Sequence, residues 1–224
     1  MSRPLSWSLT FSKRMLREVL LQNMVHDAVA KLDLPVPPLY PTGAGANYGL
    51  FYLILRIVTE NPVARVLDVG AGQSTLLLNA LAKKLPVDVV TLETDSDWAN
   101  RIGQRVDHKV MHSPLVPKSI HGVDVQGYAD LSGIGGKFDL ILIDAPIGTK
   151  RHSRWAGLEL IDSFREQDCI VIFDDAERRG ERDTINRFCA LHEDLKGRYF
   201  RPAAAQQFVA CSPRFSHIMY YRWS

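Results

Sequence analysis

The sequence predicts an α/β protein with a doubly wound, mostly parallel sheet, preceded by a helical cap and closed by an antiparallel strand pair. Three observations carry this prediction. From residue 64 onward short continuous apolar runs alternate with amphipathic stretches, the pattern of parallel strands covered by helices on both faces. The first run passes through a glycine turn into a helix start, as Val66-Leu67-Asp68-Val69-Gly70-Ala71-Gly72-Gln73-Ser74-Thr75. Two later runs end in carboxylates, Asp144 in one and Asp174-Asp175 in the other.

Taken in order, Met15, Leu16, Val19, Leu20, Met24, Val25, Ala28, Val29 and Leu32 recur at helical spacing, which predicts a helix over 12–32 with Ser12 as N-cap. Pro35, Pro37, Pro38 and Pro41 then force an extended connector. A second helix is expected at 46–59, so residues 1–60 read as a helical cap or lid and 61–224 as the main domain. Within that domain strands are expected at 64–69, 87–92, 109–111, 138–143 and 169–173, and helices at 74–85, 96–105, 154–165 and 178–195. Residues 207–211 and 217–223 read as two more strands, too close for a crossover helix and hence antiparallel. The glycine-dotted segment 122–136 takes no assignment.

With 46% hydrophobic and 23% charged residues in 224, the chain can bury a full core and has none of the bias of disordered or disulfide-scaffold sequences. A net charge of +2 gives no bulk-charge argument for nucleic acid. Cys169, Cys189 and Cys211 are odd in number and lack CxxC spacing, which argues against a disulfide framework or thiolate zinc site. Lys13, Arg14 and Arg17 interrupt the N-terminus, and the longest apolar run, 50–55, is too short to span a bilayer. A cytoplasmic protein without membrane contact is expected.

Glycines after a strand let the backbone approach a ligand, and the helix that follows offers unpaired N–H groups. The dinucleotide fingerprint wants a third glycine where this chain has Thr75, and it does not call for the acid at Asp68, so NAD is disfavoured. Glu93 ends the second strand about 20 residues past the turn, where a carboxylate can accept both ribose hydroxyl protons; Asp95 competes for that role. A glycine turn that merely closes a tight connection is the alternative.

Asp68-Val69-Gly70-Ala71-Gly72 resembles the first motif of class I S-adenosylmethionine-dependent methyltransferases, and with it the seven-stranded Rossmann-like sheet. The resemblance implies that Gly70, Ala71 and Gly72, with Ser74 and Thr75, pack against the methionine part of the cofactor. It also implies that Asp68 lies near the end carrying the amino group. Glu93 and Thr94 would then bind the ribose side, and Asp144 also counts among the cofactor-binding candidates.

Three readings stay open for Asp144, Asp174 and Asp175. They bind Mg²⁺ or Ca²⁺, as in catechol-type O-methyltransferases; or one of them, Asp144 or Asp175, is a general base; or Asp175 caps the next helix while the others pair with arginines such as Arg178. Asp144-Ala145-Pro146-Ile147-Gly148 with Arg151, His152 and Arg154, then Asp174-Asp175 with Arg178 and Glu181, resembles a bacterial methyltransferase group. That group carries Asp-Gly-Pro-x-Gly and Asp-Asp-x-x-Arg-x-x-Glu segments; Ala145 stands where glycine is usual. A similar Asp-Pro-Gly-Arg arrangement occurs in plant glucuronoxylan O-methyltransferases.

Lys150, Arg151 and Arg154 would suit an anionic acceptor, or belong to a solvated loop, and His152 is either a general base or inert. Base methylation is disfavoured because no aromatic follows Asp144 in the manner of Asp-Pro-Pro-Tyr segments, the nearest being Trp155. Tyr40, Thr42, Asn47 and Tyr48 either line a lid or pack as core. Tyr199, Phe200, Phe208, Phe215, Tyr220, Tyr221 and Trp223 fill a sheet edge or form a homodimer surface. The expected function is S-adenosylmethionine-dependent O-methylation of a small or saccharide-like, anionic acceptor. The rivals are a non-catalytic module that binds the same nucleoside and an NAD-linked oxidoreductase.

Overall fold

The computed structural model describes residues 4–40, 46–201 and 205–221. The helices are α1 (Pro4–Lys31), α2 (Tyr48–Glu60), α3 (Gln73–Ala82), α4 (Ser96–Gly103), α5 (Ala156–Phe164) and α6 (Arg179–Leu191). The strands are β1 (Arg65–Val69), β2 (Asp88–Glu93), β3 (Lys109–His112), β4 (Leu115–Ile120), β5 (Val123–Tyr128), β6 (Phe138–Ile143), β7 (Arg165–Phe173), β8 (Lys196–Phe200) and β9 (Gln207–Cys211). Seven strands form one sheet in the order β3-β2-β1-β6-β7-β9-β8, while β4 and β5 form a separate hairpin. Strand order reverses between β1 and β6, which pair in parallel, so a crevice opens beyond their carboxyl ends.

Side chains alternate across each strand, and both faces of the central strands are covered. On one face Val66, Leu140 and Ile172 meet Leu50, Phe51 and Ile54 of α2 and Leu77 and Leu81 of α3. On the other, Leu67, Ile141 and Val171 meet Leu158 and Ile161 of α5, Ile185 and Phe188 of α6, and Tyr128 of the hairpin. The first cluster crosses residue 60: α2 is a covering layer of the sheet, with Leu21 and Val25 of α1 packed on it. No helix among the described residues is long and apolar enough to cross a membrane.

Two expectations need correction. Ser12 lies inside α1, which begins at Pro4; proline is tolerated in a first helical turn and nothing between it and Ser12 breaks the helix. Residues 213–220 form a 3₁₀ segment where part of the strand over 217–223 is expected: Ser212 stands at its N-cap and Pro213 at its first turn, where a missing N–H costs nothing. The antiparallel partners of β9 are β7 and β8. The segment 122–136, which takes no assignment in sequence, contains β5, paired with β4 in a hairpin that turns at His121 (φ 51°) and Gly122 (φ 77°). Of the aromatic tail, Phe200, Phe208, Phe215 and Tyr221 are buried and Tyr220 is exposed. Trp223 and Thr42 lie outside the described residues. Tyr48 is core, donating its hydroxyl to the Leu39 carbonyl at 3.3 Å, and Tyr40 is exposed.

At the opposite end of the sheet from the crevice, Asp139 Oδ2 accepts from the Ala64 and Arg65 N–H groups, both at 2.8 Å, pinning the start of β1 to β6. Asp139→Ala is expected to lower stability by about 1–3 kcal/mol in urea unfolding.

Candidate functional site

Two glycines shape the turn after β1 for different reasons. Gly70 has φ 109°, and a Cβ there would stand 2.9 Å from that of Ala145. Only glycine suits that position, because the backbone is left-handed and the β6 end abuts it. Gly72 is extended, at φ −179°, and no protein atom lies within 4 Å of where its Cβ would be. The room beside Gly72 belongs to a crevice of about 970 Å³ lined by Gly70, Ala71, Gly72, Ser74, Glu93 and Thr94, and by the carboxylates of the next two strand ends.

Glu93 is buried at the end of β2 with its carboxylate in this crevice. Its Oε1 accepts from the Thr94 and Asp95 N–H groups at 2.6 and 3.0 Å, while Oε2 accepts from Ala71 N–H at 2.9 Å. The carboxylate therefore ties the β2 end to the glycine turn and keeps lone-pair capacity on Oε2 for a further donor. Asp95 is committed elsewhere, capping α4 by accepting from Trp98 N–H at 2.8 Å. Trp98, which the sequence reading passed over, donates its indole N–H to the Ala71 carbonyl at 2.6 Å and leaves 43% of its surface open in the crevice wall.

Asp68 does not reach the crevice. It is fully buried beneath the turn, where its Oδ2 accepts from the hydroxyls of Thr75 at 2.6 Å and Thr91 at 3.1 Å. Thr75 Oγ1 in turn accepts from Gly72 N–H at 2.8 Å. Asp68 and Thr75 thus hold the turn in shape from below and do not themselves line the crevice.

At the carboxyl ends of β6 and β7, Asp144, Asp174 and Asp175 present oxygens that all lie within 4.8 Å of one another. Arg154, 4% exposed, fills the space between them: Nη2 is 3.0 Å from Asp144 Oδ1 and 2.6 Å from Asp175 Oδ2. Asp174 Oδ1 accepts from Gln207 Nε2 at 2.7 Å. Burial, and then the charge of Asp174, hold the Asp144 carboxyl well above the ordinary range; burial pushes Asp174 up to about 6. Mg²⁺ demands an octahedron of oxygens at about 2.0–2.1 Å, and a guanidinium already stands among these donors. The residues do not fit a resident Mg²⁺.

No protein-family model matches the chain, and no curated protein does. Solved structures share its fold. A methyltransferase from Pyrococcus furiosus is 16% identical over 90% of this chain and 98% of its own, with a TM-score of 0.53. A Podospora anserina methyltransferase solved with SAH bound is also 16% identical, over 75% of this chain and 79% of its own, with a TM-score of 0.51. This is the class I methyltransferase fold.

Within that methyltransferase fold the remaining candidates divide. Arg154 is spent on carboxylates rather than free for an acceptor. Arg178, not Asp175, is the N-cap residue of α6, and its Nη1 stands 2.8 Å from Asp175 Oδ2. His152 lines a neighbouring hollow beside the β4–β5 hairpin, edge-on to Trp155 at 4.7 Å, and not the crevice. Arg151 pairs with Asp183 at 2.6 Å, and Lys150 is exposed beside it.

The buried acids set a pH dependence. Burial pushes Asp68 up to about 7 and Asp174 to about 6, whereas an unfolded aspartate titrates near about 4. Between those values the folded chain holds protons that the unfolded chain has released, so stability falls as pH rises through the window and levels off above it. Asp68→Asn keeps an acceptor oxygen for Thr75 and Thr91 and removes one titrating group. Its loss of stability between pH 5 and 8, read by urea unfolding, is expected to be smaller than that of the wild type.

Proposed function

We propose that the chain is an S-adenosylmethionine-dependent methyltransferase that methylates a hydroxyl oxygen of a small or saccharide-like, anionic acceptor. The observation that carries the reading is the open space beside Gly72, facing a Glu93 carboxylate already oriented by three backbone N–H groups. S-adenosylmethionine, when bound, supplies a methyl group on a sulfonium, activated for transfer in line to a nucleophile. The glycine turn and the start of α3 would receive its amino-acid portion, and Glu93 its ribose hydroxyls.

Asp144 is the general base of this proposal. Its side chain is 22% exposed and lines the crevice, whereas Asp174 is buried. Burial raises its carboxyl, which makes the charged form a stronger proton acceptor than an ordinary carboxylate. The Arg154 guanidinium beside it steadies the charged form before the proton arrives.

A second cleft of about 670 Å³, between residues 148–151 and the start of α6, suits an anionic acceptor. Lys150, Arg151, Arg178 and Arg179 line it, and it adjoins the crevice through Gly148 and Arg178. Arg151 and Arg178 are paired with Asp183 and Asp175; Lys150 and Arg179 supply the uncommitted charge. No side chain caps α6, so its first N–H groups also favour an anion. A carboxylate or phosphate bound there would leave a hydroxyl of the same molecule to reach Asp144.

Calorimetric titration with S-adenosylhomocysteine tests the cofactor reading. Gly72→Ala is expected to weaken binding tenfold or more with unchanged stability, while Gly70→Ala loses about 1–3 kcal/mol of stability. Affinity for NADH alone would overturn the reading. Methyl release is then measured on a panel of uronic acids and sugar phosphates. Asp144→Asn should lower kcat by about 10²–10⁴, and Lys150→Glu should raise the acceptor KM about tenfold with kcat little changed. Cofactor binding without turnover on any acceptor would instead favour a non-catalytic module.

A further inference from the structure

The carboxylates at the ends of β6 and β7 converge on a single buried guanidinium whose hydrogen-bonding capacity is almost fully used. Arg154 Nη2 bridges Asp144 Oδ1 and Asp175 Oδ2 at 3.0 and 2.6 Å, and Nη1 donates to the Asp174 carbonyl at 2.6 Å and reaches that of Ile143 at 3.4 Å. Nε lies 3.9 Å from Glu181 Oε1 and makes no hydrogen bond. We propose that Arg154 is the built-in cation of this site: it takes the place of a divalent ion, orients Asp144 and Asp175, and leaves the cluster closed to metal.

The backbone is arranged to deliver this side chain. Arg154 and Asp175 both adopt left-handed conformations, at φ 57° and 55°, which non-glycine residues keep only where their surroundings fix them. Residue 153 is clamped to α6: Ser153 N–H donates to the Gly180 carbonyl at 3.1 Å, its hydroxyl to Glu181 Oε1 at 2.8 Å, and Thr184 Oγ1 donates to the Ser153 carbonyl at 2.6 Å. Gly180 permits that approach, since a Cβ there would collide with the Thr149 carbonyl and stand 2.7 Å from Ser153 Cβ. The arginine next in the chain is therefore directed inward, away from the solvent that Lys150 and Arg151 face.

Charge and geometry explain why one guanidinium serves where a metal otherwise would. A planar fork matches two carboxylates and a carbonyl at once, and its charge does not titrate away. An oxygen spread of up to 4.8 Å would suit a cation such as Ca²⁺, whose ligands lie at about 2.3–2.6 Å. Truncating the arginine would leave those three carboxylates and the Asp174 carbonyl facing a vacated space. Arg154 is a positioning residue acting through Asp144; only this catalytic consequence rests on the methyltransferase reading.

The test is Mn²⁺ titration of the full chain, followed by electron paramagnetic resonance, for wild type, Asp175→Asn, Arg154→Lys, Arg154→Ala and Arg154→Ala with Asp175→Asn. Arg154→Ala is expected to bind one Mn²⁺ at least tenfold more tightly than wild type, and the double variant to lose that site. Arg154→Lys, which keeps a cation in place, should remain Mn²⁺-free. The proposal is overturned if wild type binds Mn²⁺ at a site abolished by Asp175→Asn, or if Arg154→Ala unfolds cooperatively in urea yet takes no Mn²⁺. Should Arg154→Ala not fold, the wild-type and Asp175→Asn titrations decide by themselves. Occupancy is read without turnover, so its failure is separable from failure of the methyltransferase reading.

Discussion

Withdrawing ionisable carboxyls from water at the ends of two neighbouring strands is the costliest feature of this fold, at several kcal/mol for each charge left unpaired. Arg154 is what makes the arrangement tolerable. Its position depends in turn on the loop that follows β6 being locked to α6 at Ser153, and on Gly180 leaving room for that contact. Asp68 shows the alternative solution a single strand away: with no cation at hand, it is surrounded by two threonine hydroxyls and its carboxyl is driven up to about 7. Within one row of strand ends, one acid is held by hydroxyls beneath the turn and the others by a guanidinium, and the difference lies in what stands beside each.

The parts of the chain that could be read directly are those whose burial is set locally. β6 runs over 138–143 as expected because it is apolar on both faces, and such strands leave an uninterrupted hydrophobic run. The edge strand β8, Lys-Gly-Arg-Tyr-Phe, leaves no such mark, since half of it faces water and its charges protect a sheet edge. The hairpin was hidden by its turn: His121-Gly122 adopts the two left-handed conformations that Asn-Gly usually announces. The helix over 12–32 extends further back because only periodicity, and no breaker, was available to locate its start.

The same division holds at the site. Gly70, Gly72 and Glu93 were legible because a backbone turn and a strand end fix them, within a single strand-helix-strand unit. Arg154 reads in sequence as an acceptor contact or part of a solvated loop, because its neighbours Lys150 and Arg151 are exposed and the local sequence is simply basic. What turns it inward is contact with residues 180–184, some thirty positions on, and no local pattern encodes that. Trp98 has the same character, since its value to the crevice depends on where α4 starts relative to Ala71.

A shared fold carries no chemistry of its own, so specificity must be sought in the segments that vary around it. The connection from β6 to α5 is built for such variation. Near its end Ser153 and Arg154 are buried and anchored, while its middle carries Ile147, 95% exposed, and the charged pair Lys150 and Arg151. The exposed stretch divides the crevice from the cationic cleft on one side and from the hollow under the β4–β5 hairpin on the other. Substitutions there would reshape the ridge between the cavities while leaving the contacts of Ser153 and Arg154 in place. One loop therefore combines an anchored end that holds the carboxylates' guanidinium with an exposed middle at the mouths of three cavities.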